Sequence, residues 1–245
     1  METFYSRYIR HIILSDIGLV GQDILGKSKV LCIGAGGLGS PALMYLAATG
    51  VGSIGIVDFD VVNLSNLNRQ VIFSYDDIGK NKAICAKNYI VKLNNSIDVS
   101  VYDYKLSYSN CFDLFKDYDV ILDCTDNLES KFLINDFSIK LNIPLVHGSV
   151  FGLEGYVAVF LKGFSCYRCL YRDVNSLECI NHGIIGPVTG IIGSLQALIS
   201  IVLLLRRKNK DFSCDLFFSL FLFDFKFFKF RSLNVKSLYK CNFCL

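Results

Sequence analysis

The sequence predicts an α/β fold with a Rossmann-like, doubly wound and mainly parallel sheet and an antiparallel C-terminal extension. Short apolar segments alternate with helical patterns as far as Gly148, which is typical of a parallel sheet covered by helices on both faces. A glycine-rich turn directly follows the first apolar segment. Strand-like segments at 155–161 and 216–232 have no long helical pattern within them, which favours antiparallel pairing there.

The predicted elements follow one another in a regular order. Strands are expected at 30–33, 53–57, 99–104, 120–123 and 145–148, and helices at 41–49, 80–93, 111–116 and 130–141. The uncharged segment 184–205 is long enough to span a membrane. Because glycines, Pro187 and Gln196 interrupt it, we expect instead a loop and then a buried core helix at 191–205. No repeat or linker divides the chain, so residues 1–245 are assigned to a single domain.

Composition narrows the class of protein. The net charge is only +3 and the basic residues are scattered, so we expect no nucleic-acid partner, and no membrane partner is expected either. Ten cysteines without an N-terminal signal sequence indicate a reducing, cytoplasmic environment, in which thiols act as ligands or nucleophiles.

The turn at 34–39 has the glycine spacing of a nucleotide-binding fingerprint. Its glycines are Gly34, Gly36, Gly37 and Gly39. Glycine at these positions lets the backbone turn sharply and approach phosphate groups at the start of a helix. Asp58 ends the next predicted strand, where a carboxylate accepts hydrogen bonds from ribose hydroxyls. An NAD-dependent oxidoreductase has the same features and remains an alternative.

Side chains beyond this turn favour a triphosphate over a bridging pyrophosphate. Asn66 and Arg69 follow the ribose carboxylate, and Lys82 lies at the start of a helix. Each cation alone could equally be a surface charge, but two cations near one nucleotide suit transfer chemistry at phosphorus. Asp126 directly follows the strand 120–123, at the edge where open sheets bind ligands, so it could hold a metal ion or cap the next helix.

Two C-x-x-C pairs predict a zinc site. They are Cys166 with Cys169 and Cys241 with Cys244, and this spacing is typical of tetrahedral zinc sites. Four thiolates leave no open coordination position, so the Zn²⁺ is expected to be structural. A thioredoxin-like redox pair is less favoured, because two pairs are present.

These motifs occur in an order that resembles a known family. The segments 7–10, 34–39, 58–60, 65–70, 123–127 and 166–170 resemble, over nearly the whole chain, the ThiF, MoeB and HesA family of adenylyltransferases, relatives of ubiquitin-activating enzymes. The resemblance implies ATP- and Mg²⁺-dependent adenylation of the C-terminal glycine carboxylate of a ubiquitin-like sulfur-carrier protein, with release of pyrophosphate. It also implies a homodimer. No rhodanese-like extension follows Cys244, so we expect a separate sulfur donor such as a cysteine desulfurase.

The resemblance further implies roles for single residues. Those expected to hold ATP, besides the glycines, are Asp58, Ser65, Asn66, Arg69, Lys82, Asp126 and Asn127. Those expected to be catalytic are Arg10, Arg69, Lys82, Asp126 and Cys179. Arg10 would reach the nucleotide of a neighbouring subunit, and Asp126 would help to hold Mg²⁺. Cys179 would bond to the carrier or take part in sulfur transfer, and a passive loop thiol is the alternative.

Two branches of the family fit the sequence. The segments 70–73, 186–188 and 230–233 resemble enzymes that activate the ThiS-type carrier of thiamine thiazole synthesis, which is the expected function. A MoeB-type enzyme that serves molybdopterin synthase is the alternative.

Overall fold

A single eight-stranded sheet organises the chain. The computed structural model describes residues 2–171, 183–207, 219–235, 241, 243 and 244. The strands are β1 Lys29–Ile33, β2 Ser53–Val57, β3 Asp98–Tyr102, β4 Val120–Asp123, β5 Leu145–Phe151, β6 Glu154–Phe160, β7 Ser219–Asp224 and β8 Lys229–Asn234. Their order in the sheet is β3-β2-β1-β4-β5-β6-β7-β8. The pairs from β3 to β5 are parallel and those from β5 to β8 are antiparallel, which confirms the predicted fold class.

Helices cover both faces of the sheet. They are α1 Glu2–Ile12, α2 Gly18–Gly26, α3 Gly39–Thr49, α4 Lys82–Leu93, α5 Cys111–Phe115, α6 Leu128–Leu141, α7 Tyr167–Leu170 and α8 Gly186–Arg207. Successive side chains of β1 alternate between two cores, because strand residues point to opposite faces. Val30 and Cys32 join the core built with α3, α4 and α8, whereas Leu31 and Ile33 join the one built with α5, α6 and α7.

The predicted elements agree closely with the observed ones, with two differences. Helices α1 and α2 were not expected from the sequence. Helix α8 begins at Gly186 rather than Ile191, so the expected loop is already helical. Gly193 is required by packing, because α8 crosses the chain near Leu38 there: a Cβ at Gly193 would lie 2.2 Å from the Leu38 carbonyl oxygen. Pro187 is tolerated because it occupies the first turn.

Helix α8 is the central helix of one core. Among the described residues it is the one helix that is long and apolar enough to cross a membrane: Gly186–Arg206 has a mean hydropathy of 2.3, and 56% of its apolar stretch is buried. A helix in the core of a protein can have the same length and hydropathy. Gln196 Nε2 donates to the carbonyl oxygens of Asp123 (2.8 Å) and Val146 (3.2 Å). These bonds attach α8 to β4 and β5, and they satisfy the buried amide nitrogen of Gln196.

Candidate functional site

The sheet order creates a crevice at the carboxyl ends of β1 and β4. From β1 the chain continues to β2 on one side of β1, whereas β4 lies on the other side of β1. The direction of the strand order therefore reverses between β1 and β4. Ligands of open α/β sheets bind at such points. The turn at 34–39 follows β1, the segment 58–70 follows β2, and the segment 123–127 follows β4. The structure therefore brings the three predicted nucleotide-binding segments to one edge.

The glycine turn is too closely packed for a side chain at Gly34 and Gly39, but it is open at Gly36. Gly34 has a φ of +94°, and a Cβ there would lie 2.7 Å from the Cys124 carbonyl oxygen. A Cβ at Gly39 would lie 2.0 Å from the Gly34 carbonyl oxygen. Gly36 differs, because its Cβ would meet only Gln70 Nε2, at 3.5 Å. The turn thus presents open space at Gly36, next to the start of α3, where backbone N–H groups favour an anion.

Asp58 is fixed to the turn by backbone amides. Its Oδ2 accepts a hydrogen bond from Ala35 N (2.8 Å), and its Oδ1 accepts one from Asp60 N (2.9 Å). Burial raises the pKa of Asp58, and these two N–H groups oppose that rise. The carboxylate is held beside the phosphate-accepting turn, where it can accept further hydrogen bonds from ribose hydroxyls.

Lys82 lies at this edge but is paired. It begins α4, its side chain is only 9% exposed, and its Nζ lies 3.0 Å from Asp60 Oδ2. The carboxylate of Asp60 is about half exposed. A phosphate group entering the crevice would therefore compete with Asp60 for the ammonium group, rather than meet an unpaired cation.

The segment 65–70 folds Arg69 back on its own turn. Arg69 Nη1 donates to the Ser65 carbonyl oxygen (2.9 Å) and to Asn68 Oδ1 (3.0 Å). Asn66 is buried, and its Oδ1 accepts a hydrogen bond from Asn63 N (3.1 Å). The guanidinium is thus oriented through one of its nitrogens, which leaves Nε and Nη2 as further donors of the group.

A buried amide oxygen at the turn lacks a partner. Gln70 is 4% exposed, and its Oε1 is the one buried side-chain N or O atom among the described residues that forms no hydrogen bond. The Gln70 amide faces Gly36. Buried polar atoms are almost always satisfied in folded proteins, so this unpaired acceptor fits a ligand that brings a hydrogen-bond donor. The open turn at the start of α3 can receive phosphate oxygens, and Asp58 can accept hydrogen bonds from ribose hydroxyls, so the residues present fit a nucleotide with phosphates.

Sequence reasoning missed three residues of this edge. Gln70 directly follows Arg69, but the sequence pattern assigns it no role. A Cβ at Gly37 would lie 3.2 Å from the Thr189 side chain, and one at Gly186 would lie 2.6 Å from the Asn68 carbonyl oxygen. The first turn of α8 therefore closes the edge. A helix expected to begin at Ile191 could not reveal this contact.

The segment after β4 shows which of its residues caps helix α6. Asn127, not Asp126, is the N-cap of α6, because its Oδ1 accepts a hydrogen bond from Ser130 N (2.9 Å). Asp126 precedes the cap and is exposed at the edge of the crevice. The helix-cap alternative for Asp126 is wrong, and part of Asn127 is committed to the cap.

Arg10 lies away from the glycine turn of its own chain. Tyr8, on the same helix, is buried against Gly50, where a Cβ would lie 2.5 Å from Tyr8 Oη. Asn94 Nδ2 also donates to Tyr8 Oη (2.8 Å). Gly50 follows α3, whose 11 residues span about 16 Å from the glycine turn. The role implied for Arg10, contact with a neighbouring subunit's nucleotide, stays a prediction.

The four predicted zinc ligands converge. The Sγ–Sγ distances are 3.8 Å for Cys166 and Cys169, 3.8 Å for Cys166 and Cys241, and 3.6 Å for Cys169 and Cys244. All four sulfur atoms lie within 4.8 Å of one another. Four sulfurs about 2.3 Å from one tetrahedral zinc ion would lie about 3.8 Å apart. The cluster could therefore hold one Zn²⁺ with no coordination position left for water.

Arg168 fastens this cluster to α6. Its Nε and Nη2 each donate to Asp136 at 2.7 Å, and its guanidinium lies 4.9 Å from the Phe132 ring centroid and 4.4 Å from that of Phe243. The ion pair thus ties the first cysteine pair to α6, and the contact with Phe243 links the two pairs as well as their sulfur atoms do. Cys179 and His182 lie outside the described residues.

A model of the ThiF family matches residues 8–243. The chain belongs to the ThiF family. The chain is 43% identical over 211 residues to a probable molybdopterin-synthase adenylyltransferase of Porphyra purpurea, covering 84% of the chain and 55% of the relative. It is 40% identical over 236 residues to the adenylyltransferase and sulfurtransferase MOCS3 of Anopheles gambiae, covering 94% of the chain and 52% of the relative. The chain spans about half the length of the curated relatives it matches.

Solved structures show the same fold for this ThiF-family chain. The crystal structure of E. coli MccB with succinimide superposes with a TM-score of 0.82 at 26% identity, covering 98% of the chain and 73% of MccB. The crystal structure of E. coli MccB with ATP gives a TM-score of 0.77 at 25% identity, covering 91% and 68%.

Proposed function

We propose that this ThiF-family chain is an adenylyltransferase that uses ATP to activate the C-terminal carboxylate of a ubiquitin-like sulfur-carrier protein. The observation that carries the proposal is the glycine turn, which is open at Gly36 and bordered by the buried Gln70 amide, whose nitrogen faces Gly36 and whose oxygen is unpaired. The relatives are named adenylyltransferases, and MccB has been crystallised with ATP. None of the relatives reported above is named an oxidoreductase, so the NAD-dependent alternative has no support from them.

The carrier is proposed to be of the molybdopterin-synthase type. The relative from Porphyra purpurea is named for molybdopterin synthase, and the relative from Anopheles gambiae is named MOCS3. These similarities favour the MoeB-type alternative over the thiamine function expected from the sequence.

The chemistry needs alignment and charge rather than a general base. A terminal carboxylate has a pKa of about 3.5 and is ionised at neutral pH, so it can attack the α-phosphorus directly. A bond forms between the carboxylate oxygen and the α-phosphorus, and the bond to the departing pyrophosphate breaks. The negative charge that develops must be countered by donors held in place beforehand.

In the proposal, the residues of the crevice supply both the alignment and the positive charge. The turn at Gly36 and the start of α3 would receive the phosphates, and Asp58 would accept hydrogen bonds from the ribose. Arg69 and Lys82 would counter the charge on the phosphates, and Lys82 would exchange Asp60 for phosphate oxygen. Mg²⁺ held by Asp126 would add positive charge at the same edge.

The proposal includes a homodimer, a sulfur-donor protein as a partner and a cytoplasmic location. Arg10 is exposed on α1, whose Tyr8 packs at the end of α3 that lies away from the glycine turn, which supports a role toward a second chain. A sulfur-transfer role for Cys179 is part of the same proposal.

Exchange of label between ATP and pyrophosphate tests the activity. We expect exchange only when a purified carrier is present, with a molybdopterin-type carrier more effective than a thiamine-type one. A carrier that lacks its terminal glycine is the control. Arg69→Ala should lower exchange by about 10²- to 10³-fold with little change in thermal stability, whereas Lys27→Ala, at the exposed end of α2, should behave as wild type. No exchange with either carrier would refute the proposed function.

A further inference from the structure

A buried cluster of charged groups lies directly beneath the crevice and has no role in the function proposed so far. Lys131 on α6, Asp123 at the end of β4 and His147 on β5 are 6%, 0% and 1% exposed. His147 Nδ1 lies 2.6 Å from Asp123 Oδ2, and Lys131 Nζ lies 3.8 Å from the same oxygen. Burying such charges contributes little net stability compared with apolar side chains of the same size. The cluster therefore calls for an explanation other than filling the core.

The protonation states of the cluster follow from their surroundings. Burial would raise the pKa of Asp123, but the charge of Lys131 and the bonds from His147 and Thr125 outweigh burial and hold it well below its usual value. Burial and the charge of Lys131 lower the pKa of His147. Asp123 is therefore ionised and His147 neutral, so Nδ1 donates to Asp123 and Nε2 accepts from Tyr156 Oη (3.0 Å).

The hydrogen bonds of the cluster converge on one residue, Thr125. Asp123 Oδ1 accepts bonds from Thr125 N (3.0 Å) and Thr125 Oγ1 (2.6 Å). Lys131 Nζ donates to the Thr125 carbonyl oxygen (2.7 Å) and, at 3.4 Å, to that of Gly148. The amide, hydroxyl and carbonyl of Thr125 are thus all held. This is the residue that immediately precedes Asp126.

The same turn also supports the glycine turn. Cys124 N donates to the Ile33 carbonyl oxygen (2.9 Å), and a Cβ at Gly34 would lie 2.7 Å from Cys124 O and 3.4 Å from Thr125 N. Because these backbones are in contact, a shift of Thr125 would move both Asp126 and the phosphate-accepting turn. The positive charge of Lys131 also balances that of Asp123, so the ionised carboxylate beneath the crevice does not repel a triphosphate.

We propose that Lys131 is a positioning residue for the nucleotide site: through Thr125 and Asp123 it fixes the turn that carries Asp126 and aims its carboxylate at the metal-bound end of ATP. This inference rests on the proposed function and deepens it. Lys131 itself lies beneath the backbone and does not touch the nucleotide. Residues that orient metal ligands typically change metal affinity or activity by about 10- to 100-fold when they are replaced.

The test compares ATP affinity with and without Mg²⁺, measured by isothermal titration calorimetry. Lys131→Met removes the charge and the donor at similar length. It should weaken binding of ATP with Mg²⁺ by about 10- to 100-fold, and binding of metal-free ATP by less than about threefold. Lys131→Arg should restore most of the affinity for ATP with Mg²⁺. Lys140→Met, on the exposed end of the same helix, should match the wild type in both measurements.

Two outcomes would overturn the proposal. One is an affinity of Lys131→Met for ATP with Mg²⁺ that equals the wild-type value. The other is an equal loss with and without Mg²⁺ together with a lower melting temperature, which would show a merely structural role.

Thr125→Val keeps the shape of the turn and removes only the hydroxyl bond to Asp123, so it serves if Lys131→Met does not fold. A loss of about threefold or more that depends on Mg²⁺ is expected for it, and its absence would also overturn the proposal. Absence of ATP binding by the wild type would refute the proposed function and this role together. Normal wild-type binding with unaffected variants would refute this role alone.

Discussion

The nucleotide edge of the sheet and the four-cysteine cluster keep their shapes by different means. At the nucleotide edge, backbone contacts between Gly34, Gly39 and Cys124 and hydrogen bonds to Asp58 and Asp123 hold every turn. At the cluster, four sulfur atoms from two distant parts of the chain lie within 4.8 Å of one another. The nucleotide edge is therefore held by contacts of the polypeptide, whereas the cluster brings together four thiols that could hold one Zn²⁺.

The two regions also respond to different substitutions. The cluster should depend on metal and on each sulfur, because removing one ligand breaks the whole coordination sphere. The nucleotide edge should depend on small changes of volume and on the charges beneath it, because its turns are in van der Waals contact.

Loss of zinc should have the largest effect. Cys169→Ser should lower the zinc content below one ion per chain and destabilise the protein by about 4 kcal/mol or more, the range typical of losing a bound metal. Cys85→Ser, at a buried thiol outside the cluster, should keep the full zinc content. Metal analysis and thermal unfolding measure both. Full zinc content in Cys169→Ser would contradict the four-thiolate site and with it the contrast between the two regions.

Two glycine variants should distinguish the stability of the nucleotide edge from its ability to bind ATP. Gly39→Ala places a Cβ 2.0 Å from the Gly34 carbonyl oxygen, so it should destabilise the fold by about 3 kcal/mol. Gly36→Ala meets only Gln70 Nε2, at 3.5 Å, so it should change stability by less than about 1 kcal/mol.

ATP binding should nevertheless be weakened by Gly36→Ala, the substitution with the smaller effect on stability. Because its methyl group occupies the open space of the turn, Gly36→Ala should weaken ATP binding by about tenfold or more. Gly26→Ala, with nothing within 4 Å of the added Cβ, is the control. Wild-type ATP affinity in Gly36→Ala would show that the phosphates lie elsewhere.

The pH dependence of stability should give the smallest effect and should belong to the nucleotide edge. Burial lowers the pKa of His147, so the unfolded chain takes up a proton below about pH 6.5 that the folded chain does not. The contribution of neutral His147 to the free energy of unfolding is therefore complete above about pH 6.5. It falls as the pH drops below that value, by at most about 1.4 kcal/mol per pH unit. His147→Gln should reduce this slope in urea titrations between pH 7 and pH 5. An unchanged slope would show that His147 is not buried in its neutral form.

The match between sequence and structure depends on the kind of signal. The predicted strands 53–57 and 120–123 have the same bounds as β2 and β4. A short apolar segment between helical patterns is typical of a buried strand, so the local pattern is enough to predict it. The sequence predicts the start of α8 five residues late, because Gly186, Pro187 and Gly190 favour a loop before Ile191. Gly193, inside the predicted helix, is required by the close crossing of α8 over the chain near Leu38, which lies far away in the sequence.

The sequence by itself determined the fold class, the glycine turn and the four cysteines that could hold Zn²⁺, because helical period, glycine spacing and C-x-x-C spacing are properties of short segments. Only the tertiary structure decided that the Gln70 amide nitrogen faces Gly36 while its oxygen stays unpaired, that Lys131 reaches under Thr125, and that Tyr8 of α1 packs at the far end of α3. These contacts depend on β4 lying beside β1 in the sheet and on helices that cross it. Such long-range neighbours are chosen by the packing of the whole chain, and no local pattern records them.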